Sequence, residues 1–144
     1  MWFSKKEANE TPNKAPKDQV TTKAVGDAAE FIALGHLHKA GLTLLETNYR
    51  TPGRGGGEID LIMKDTDGTL VFVEVRQRTS QFHGGAGASI SAVKQKRIVF
   101  AARHYLMRYK SLPPCRFDAV LIHGQLGASD APAIEWLRSA FDAI

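Results

Sequence analysis

The sequence predicts an α/β fold in which helices flank a mixed β-sheet. Residues 58–64 and 70–78 alternate apolar with charged side chains at the two-residue period of a β-strand, and residues 66–68 between them are typical of a hairpin turn. Segments of helical composition lie before and after this hairpin, and strand-like residues 116–122 follow the second helix. Strands joined partly by a hairpin and partly through a helix favour the layered α/β class.

The first part of the chain divides into a tail and a helix. Residues 1–19 form a basic segment with little to bury, which predicts a disordered tail, and residues 20–144 are expected to form a single domain. A helix is predicted from Val20 to about Ala40, where Gly41 ends it. The small and apolar residues that share one side of this helix, and are expected to lie against the sheet, are Gly26, Ala29, Ala33 and Leu37.

A glycine-rich loop, residues 51–57, leads from a first predicted strand, Leu42 to Arg50, into the hairpin. The loop lacks the Gly-Lys-Ser/Thr ending and the following helix of a phosphate-binding P-loop, since Glu58 opens a strand. Bare backbone flanked by Arg50 and Arg54 suits the close approach of a phosphodiester. The alternative is a plain linker with solvated arginines.

The register of the hairpin decides whether two acidic residues meet. A two-residue turn would put the carboxylates of Asp60 and Glu74 on opposite faces of the sheet. A three-residue loop with Gly68 in the left-handed conformation sets Asp60 directly opposite Glu74. We predict the second register because only it lets all the odd-numbered apolar residues share one core face. These residues are Ile59, Leu61, Met63, Val71, Val73 and Val75.

The predicted pair of acids requires a cation. Asp60 and Glu74 would lie about 4.5 to 5.5 Å apart at their Cβ atoms, where like charges repel, and Arg76 is the next residue on that face. A divalent ion shared by both carboxylates would satisfy them better, since hard oxygen ligands suit Mg²⁺ or Mn²⁺. Ile62 and Phe72 place apolar groups on the same face, which favours a partly covered cleft over the alternative of a solvated charge ladder.

A second helix is predicted after another glycine-rich loop, residues 79–88. Ser89 or Ser91 caps the helix, which runs to about Lys110. The residues expected to face the core are Val93, Ile98, Ala101, Ala102 and Tyr105. The cations in its first turns are Lys94, Lys96 and Arg97. Free N–H groups and these cations form either a phosphate-binding helix start or a solvated basic face.

The end of the chain contains further strands. Pro113 and Pro114 end the second helix, and Arg116 to Ile122 is predicted to be a strand. A last strand is predicted over residues 133–137, followed by a short C-terminal helix.

The composition excludes a disulfide-stabilised or membrane-spanning protein and allows a polyanionic partner. The chain has 144 residues, one cysteine and a net charge of +4, which is compatible with a polyanionic partner. The single Cys115 excludes an internal disulfide and is expected to be a small packing residue in a reducing compartment. The histidines are too scattered for a zinc site, and no apolar run reaches membrane-spanning length. We therefore expect a soluble, cytoplasmic protein with no membrane partner.

The motifs of the chain, taken in order, resemble those of a protein family. The matching segments are Gly-Asp-Ala-Ala-Glu at 26–30, Asn48-Tyr49-Arg50, residues 57–62, residues 71–76, Gly85-Ala86, Ser89-Ile90 and Lys94. They are similar to those of the YraN-like group, an uncharacterised family of predicted endonucleases related to archaeal Holliday junction resolvases in the PD-(D/E)XK nuclease superfamily. The resemblance spans residues 20–144, and these motifs in order are far more specific than a Glu-X-Arg sequence alone.

The resemblance implies a restriction-endonuclease-like fold and metal-dependent hydrolysis of phosphodiester bonds in DNA, with branched or junction DNA as a candidate substrate. The implied ligands of Mg²⁺ or Mn²⁺ are Asp60, Glu74 and the backbone carbonyl of Val75, with Glu58 as a further candidate ligand or a partner for an arginine. The implied catalytic residues are Glu30, Asp60, Glu74 and Arg76, with Glu30 supporting the metal site from the first helix. The resemblance adds Lys94 to the candidate DNA-binding residues, which are Arg50, Arg54, Arg78, Lys94, Lys96 and Arg97.

Arg76 departs from the superfamily pattern, in which lysine is usual. An arginine can bind a phosphate but is too basic to accept a proton from water. Three alternatives stay open: the ion activates water without a protein base, Lys94 replaces the lysine, or activity is low. The rival functions are a binding module of the same fold that does not cut nucleic acid, and a protein-interaction scaffold. Junction resolution would require two active sites, and hence a homodimer.

Overall fold

A computed structural model of the protein describes residues 22–78, 90–124 and 131–142, with side chains from residue 26 onward. Its elements are α1 Thr22–Lys39, β1 Thr43–Arg50, β2 Glu58–Lys64, β3 Leu70–Arg78, α2 Ala92–Leu106, β4 Cys115–His123 and β5 Ala133–Phe141. The predicted tail, the loop at residues 79–88 and Ser89 lie outside the described residues. No helix among those described is long and apolar enough to cross a membrane.

The strands form one sheet in chain order, β1-β2-β3-β4-β5. The only parallel neighbours among them are β3 and β4, between which α2 lies in the chain, and the other pairs are antiparallel. The predicted α/β class with a mixed sheet flanked by helices is therefore confirmed, and the arrangement is consistent with a restriction-endonuclease-like fold.

The helices cover opposite faces of the sheet, and each covers its own apolar cluster. The α1 cluster contains Ala29, Ala33, Leu37, Leu42, Leu61, Met63, Val71, Val73, Val120 and Ile122. The α2 cluster includes Ile62, Leu70, Phe72, Ile98, Ala101, Ala102, Tyr105, Phe117 and Ala119. Because successive residues of a strand point to opposite faces, the central strand β3 is buried on both sides along its first half.

The predicted three-residue loop of the β2–β3 hairpin is confirmed. Leu61 pairs with Val73, the register that the longer loop requires. Gly68 has a φ of 93°, in the left-handed region that glycine adopts most easily. Extended one residue beyond Leu61, this register sets Asp60 opposite Glu74.

Three predictions about the helices are wrong in detail. Gly26 is exposed, and a Cβ added there would meet nothing within 4 Å, so it does not bring α1 close to the sheet. Val93 is 69% exposed, because five residues of helix turn it by about 140° from the buried Ile98. The helix α2 ends at Leu106, not near Lys110, because the following residues form tighter turns with hydrogen bonds to the third residue back.

The predicted C-terminal helix is contradicted, because strand β5 continues to Phe141. The pairing with β4 shifts register between Phe117 and Ala119, and Ser139 has a φ of 51° at this irregularity. The buried carboxylate of Asp118 accepts the N–H of Ser139 at 2.9 Å. This side-chain contact satisfies the backbone at the irregularity and lets the strand resume its pairing.

Two further side chains lie elsewhere than predicted. Ile59 belongs to the α2 cluster, whereas the other odd-numbered apolar residues of the hairpin pack on the α1 side. The alternation breaks at Asp60, where β2 leaves the β3 ladder after Leu61. Cys115 is exposed rather than packed, because it lies at the beginning of β4, where its thiol donates to the carbonyl of Pro113 at 3.3 Å.

Candidate functional site

Asp60 lies where β2 and β3 separate. The last ladder pair before it is Leu61 with Val73, and beyond that pair the Asp60 Oδ2 accepts the N–H of Val75 at 2.8 Å. A side-chain oxygen therefore satisfies a backbone donor that a continued ladder would have paired with a carbonyl. This contact holds the carboxylate of Asp60 between the two strands, within reach of residues from both faces of the sheet.

Two further acids contact Asp60 from different elements. Glu74 of β3 and Glu30 of α1 each share a side-chain hydrogen bond with its carboxyl group. Glu74 is 4% exposed, while Glu30 and Asp60 are half-buried. The two acids that the hairpin register was predicted to bring together are therefore adjacent, and an acid from the first helix joins them.

Burial raises the pKa of all three carboxyl groups. For Glu74, burial and then the charge of Asp60 raise the pKa to about 8. Burial also raises the pKa of Asp60, against the opposing effect of the Val75 N–H. For Glu30, burial followed by the charge of Asp60 raises the pKa. The folded protein therefore disfavours the charged form of Glu74 beside Asp60 when no cation is bound.

The two oxygens of Glu74 have different surroundings. Oε2 lies 3.5 Å from Nη1 of Arg76 and 3.7 Å from Nζ of Lys94. Oε1 is buried and accepts no hydrogen bond from any residue that the structure describes. A buried oxygen without a donor costs free energy unless a ligand satisfies it.

The donors present fit a divalent cation in part. Asp60 and Glu74 provide hard carboxylate oxygens, and the unsatisfied Oε1 of Glu74 is one of them. Within residues 26–78, 90–124 and 131–142, no three His, Cys, Asp or Glu side chains are arranged to hold a metal ion. Two carboxylates alone suit Mg²⁺, which usually keeps several waters among its ligands. The carbonyl of Val75 stays a predicted ligand.

The glycine-rich loop is packed against α2. The N–H of Gly57 donates to the hydroxyl of Thr51 at 2.8 Å, and the N–H of Thr51 donates to the carbonyl of Gly57 at 3.1 Å. A Cβ on Gly57 would lie 2.0 Å from the carbonyl oxygen of Arg97, so only glycine allows this approach. The loop and the helix border a groove of about 620 Å³, which we call the loop groove.

The loop groove contains two of the predicted DNA-binding cations. Arg50 and Arg97 line it together with Glu58. Nε of Arg50 lies 3.8 Å from Oε1 of Glu58, so Glu58 binds an arginine, which is one of the two roles expected for it. Since Glu58 lines the groove and its charge acts on Asp60, the loop groove lies near Asp60.

The other predicted cations lie in different places. Lys94 contacts Glu74, as described above, and Lys96 lines a separate groove that it shares with Arg103. Arg54 is exposed on the glycine-rich loop. Arg78 is half-buried at the end of β3, and burial lowers its pKa. The structure therefore gathers only part of the predicted basic set around the acids and the loop groove.

Two residues near these elements have contacts that the sequence analysis did not predict. The side chain of Asn48 interacts with Glu30 and lowers the pKa of that acid. Asp118 is fully buried in β4. An acid between the apolar residues Phe117 and Ala119 was the available signal for Asp118. Asn48 belongs to the Asn48-Tyr49-Arg50 motif of the family resemblance, but its contact with Glu30 depends on where α1 lies against β1, which no local pattern shows.

Comparison with known proteins places the chain in a family. A family model described as "Uncharacterised protein family UPF0102" matches residues 29–122. The chain belongs to the UPF0102 family. A UPF0102 protein of Polaromonas naphthalenivorans (strain CJ2) is 64% identical over 155 residues, covering 99% of each chain. A UPF0102 protein of Cupriavidus taiwanensis is 52% identical over 121 residues, covering 84% of this chain and 85% of the relative.

A solved structure, "Crystal structure of SSO0001", is also similar to this UPF0102 chain, with 13% sequence identity and a TM-score of 0.34. The match covers 85% of this chain and 54% of that one. The region that the family model matches includes Glu30, Asp60, Glu74, Arg76 and Lys94. The acids and their cationic neighbours thus lie within the part of the sequence that defines a UPF0102 protein.

Proposed function

We propose that this UPF0102 protein is a metal-dependent endonuclease that hydrolyses phosphodiester bonds in DNA, with branched or junction DNA as the candidate substrate. The observation that supports this function best is the buried carboxyl group of Glu74 beside Asp60, one of whose oxygens has no donor among the described residues. An acid that served only stability would be expected to have both oxygens paired. The resemblance to PD-(D/E)XK nucleases supports the same function.

The acids would have distinct roles. Asp60 and Glu74 would hold Mg²⁺ or Mn²⁺, which when bound polarises a phosphodiester and helps to generate the attacking hydroxide. Glu30 contacts Asp60 from α1 and would orient water next to it. Because Glu30 is only half-buried, its carboxylate can hydrogen-bond solvent as well as Asp60.

Lys94 lies close enough to Glu74 to replace the lysine that is usual at position 76. Arg76 and Lys94 lie 3.5 Å and 3.7 Å from the same oxygen of Glu74, so both can contact a phosphate bound next to the acids. A planar guanidinium group matches the geometry of a phosphate, and a lysine is the residue that is usual beside the acids in the superfamily pattern. We therefore propose that Arg76 binds the phosphate and that Lys94 takes the place of the superfamily lysine.

The loop groove would guide the DNA backbone to the acids. Arg50 and Arg97 line the groove beside exposed backbone of the glycine-rich loop, and phosphates bind both arginine side chains and backbone N–H groups. Such contacts position a nucleic acid without selecting its sequence. Cutting both strands of a junction would require a second copy of this site, supplied by a homodimer.

One observation favours a binding module without catalysis. Arg76 and Lys94 both lie within 4 Å of Oε2 of Glu74, and their two positive charges can offset the negative charge of the acids. In such a binding module, Arg76 and Lys94 would take the place of the divalent ion. The protein would then bind nucleic acid only through the loop groove.

The endonuclease is tested by incubating the purified protein with branched, flapped and linear DNA in Mg²⁺, Mn²⁺ or EDTA. We expect metal-dependent cutting of at least one substrate, and a loss of about 100-fold or more in D60N. The matched control is D67N, which changes an exposed acid in the hairpin loop and should cut like the wild type. If no substrate is cut in an Asp60-dependent manner, the endonuclease is rejected.

Glu74→Ala separates the two candidate functions. An endonuclease should lose turnover in this variant and keep or improve its DNA affinity, because a negative charge leaves the site. A binding module would have no metal-dependent activity to lose, but its DNA affinity would fall steeply with salt. A protein whose DNA affinity does not depend on salt would be neither an endonuclease nor a DNA-binding module.

A further inference from the structure

Asn48 has a backbone conformation that is unusual inside a strand. Its φ is 49°, and Ser139 is the other residue besides glycine with a positive φ in the described part of the chain. Asparagine tolerates the left-handed region better than most residues, but this region interrupts an extended strand. A left-handed residue in the interior of a strand suggests a local function, since no turn requires it there.

The sheet register places Asn48 opposite Asp60. The pairs on either side are Thr47 with Leu61 and Tyr49 with Ile59. The side chains change face at this position, because Ile59 belongs to the α2 cluster and Leu61 to the α1 cluster. The irregular residue of β1 and the acid at the end of the β2–β3 ladder therefore occupy the same rung of the sheet.

The side chain of Asn48 interacts with the acid that α1 contributes. Its amide interacts with the carboxylate of Glu30 and lowers the pKa of that acid, and Glu30 in turn interacts with Asp60. Glu30 is thereby held between an amide on β1 and a carboxyl group on β2. A regular strand would project the side chain of residue 48 differently, so the backbone conformation and the contact belong together.

We propose that Asn48 is a positioning residue of the site, whose left-handed backbone directs its amide to Glu30 and holds that carboxylate against Asp60. The consequence for metal binding rests on the proposed function, whereas the contact between Asn48 and Glu30 does not. Asparagine meets both requirements, a tolerated left-handed backbone and a side-chain donor. Glycine would keep the backbone and remove the donor, which makes Asn48→Gly the informative variant.

The first experiment measures the contact in metal-free protein. Thermal midpoints of the wild type, N48G, E30Q and the double variant are compared in EDTA as a double-mutant cycle. We expect the shift of the double variant to differ from the sum of the single shifts. The control cycle uses S139G, which changes the other left-handed residue, and its shift should simply add to that of E30Q. Additive shifts for N48G and E30Q would overturn the proposal.

The second experiment measures Mn²⁺ affinity by calorimetry. We expect N48G to bind Mn²⁺ about tenfold more weakly, as is typical when a residue that orients a ligand shell is removed. S139G should bind Mn²⁺ like the wild type, and an N48G variant with unchanged affinity would also overturn the positioning role. If the wild type binds no Mn²⁺, the proposed metal-dependent function fails, and the metal-free cycle decides the role of Asn48 by itself.

Discussion

The parallel strands β3 and β4 each contain a buried acid, and the two acids are satisfied to different degrees. Asp118 of β4 is fully buried, and its oxygens accept hydrogen bonds from Arg116 at 3.1 Å and from Trp136 and the Ser139 N–H at 2.9 Å. Glu74 of β3 is 4% exposed, its cationic neighbours lie 3.5 Å and 3.7 Å from one oxygen, and the other oxygen has no donor in the described ranges.

This difference separates an acid that stabilises the fold from an acid that is available to a ligand. The carboxylate of Asp118 has all the partners it needs within β4 and β5, so the folded protein recovers the cost of its burial. Glu74 has no such set, and the raised pKa shows that the folded chain holds its charged form at a cost. Replacing each acid should therefore have opposite consequences.

The largest expected effect is on stability, in Asp118→Ala. We expect the free energy of unfolding to fall by about 3 to 5 kcal/mol, because the N–H groups of Trp136 and Ser139 lose their acceptor and Arg116 keeps only its pair with Asp65. Chemical denaturation monitored by circular dichroism measures this loss. Asp142→Ala changes an exposed acid and should stay within about 0.5 kcal/mol of the wild type. A loss of similar size in both variants would contradict the structural role of Asp118.

Glu74→Gln, unlike Asp118→Ala, should raise the free energy of unfolding at neutral pH in metal-free buffer. The unfolded carboxyl group ionises near its ordinary pKa of 4.5, whereas the folded one keeps its proton to about pH 8. The folded state binds more protons in this window, so the free energy of unfolding of the wild type should fall as the pH rises from 4.5 to 8. Relative to E74Q, the fall should be on the order of 4 kcal/mol. Urea denaturation at several pH values measures it, and parallel pH profiles for the two proteins would exclude the effect.

Added Mn²⁺ should stabilise the wild type and not the Glu74 variant. At a concentration ten times the Kd, a bound ion contributes about 1.4 kcal/mol, which corresponds to roughly 2 to 6 °C in the thermal midpoint. E74Q should lose this shift because it lacks one of the two carboxylates. D118N should keep it, since Asp118 lies outside the candidate site. An equal shift in E74Q and the wild type would place the ion elsewhere.

The smallest effect on stability is expected for Arg50→Gln in the loop groove. The side chain of Arg50 is 71% exposed, and its pair with Glu58 spans 3.8 Å, so its loss should change stability by less than about 0.5 kcal/mol. DNA affinity should nevertheless fall, with a weaker dependence on salt, because one phosphate contact is removed. Fluorescence anisotropy at several salt concentrations tests this, with the exposed Arg103 of the separate groove as the matched control.

The hairpin could be predicted because its information is local. Alternating residues define the faces of β2 and β3, and the conformational freedom of Gly68 selects the loop, so the register of Asp60 and Glu74 follows. The face of Ile59 was predicted wrongly, because the alternation of side chains along β2 holds only where β2 is paired with β3, and that pairing stops at Leu61. The continuation of β5 to Phe141 was not predicted either, because the carboxylate of Asp118 in β4 supports the irregular backbone at Ser139.

The roles of the residues around the acids could be predicted only in part. Lys94 entered through resemblance to a family, and no local pattern distinguishes a solvated cation from a partner of Glu74. The side chain of Asn48 contacts Glu30 only because α1 packs against β1 and β2. The unsatisfied oxygen of Glu74 is likewise a property of the packed molecule.

By itself, the sequence determined the α/β class, the order of the elements from α1 to β4, and the meeting of Asp60 with Glu74. These follow from periodicity and turn chemistry, which act between residues close in the chain. The tertiary structure alone decided which cations reach the acids, which buried carboxylate is fully paired, and how the glycine-rich loop lies against α2. These features depend on distances between elements far apart in the chain, and such distances are set by the packing of two helices on opposite faces of one sheet.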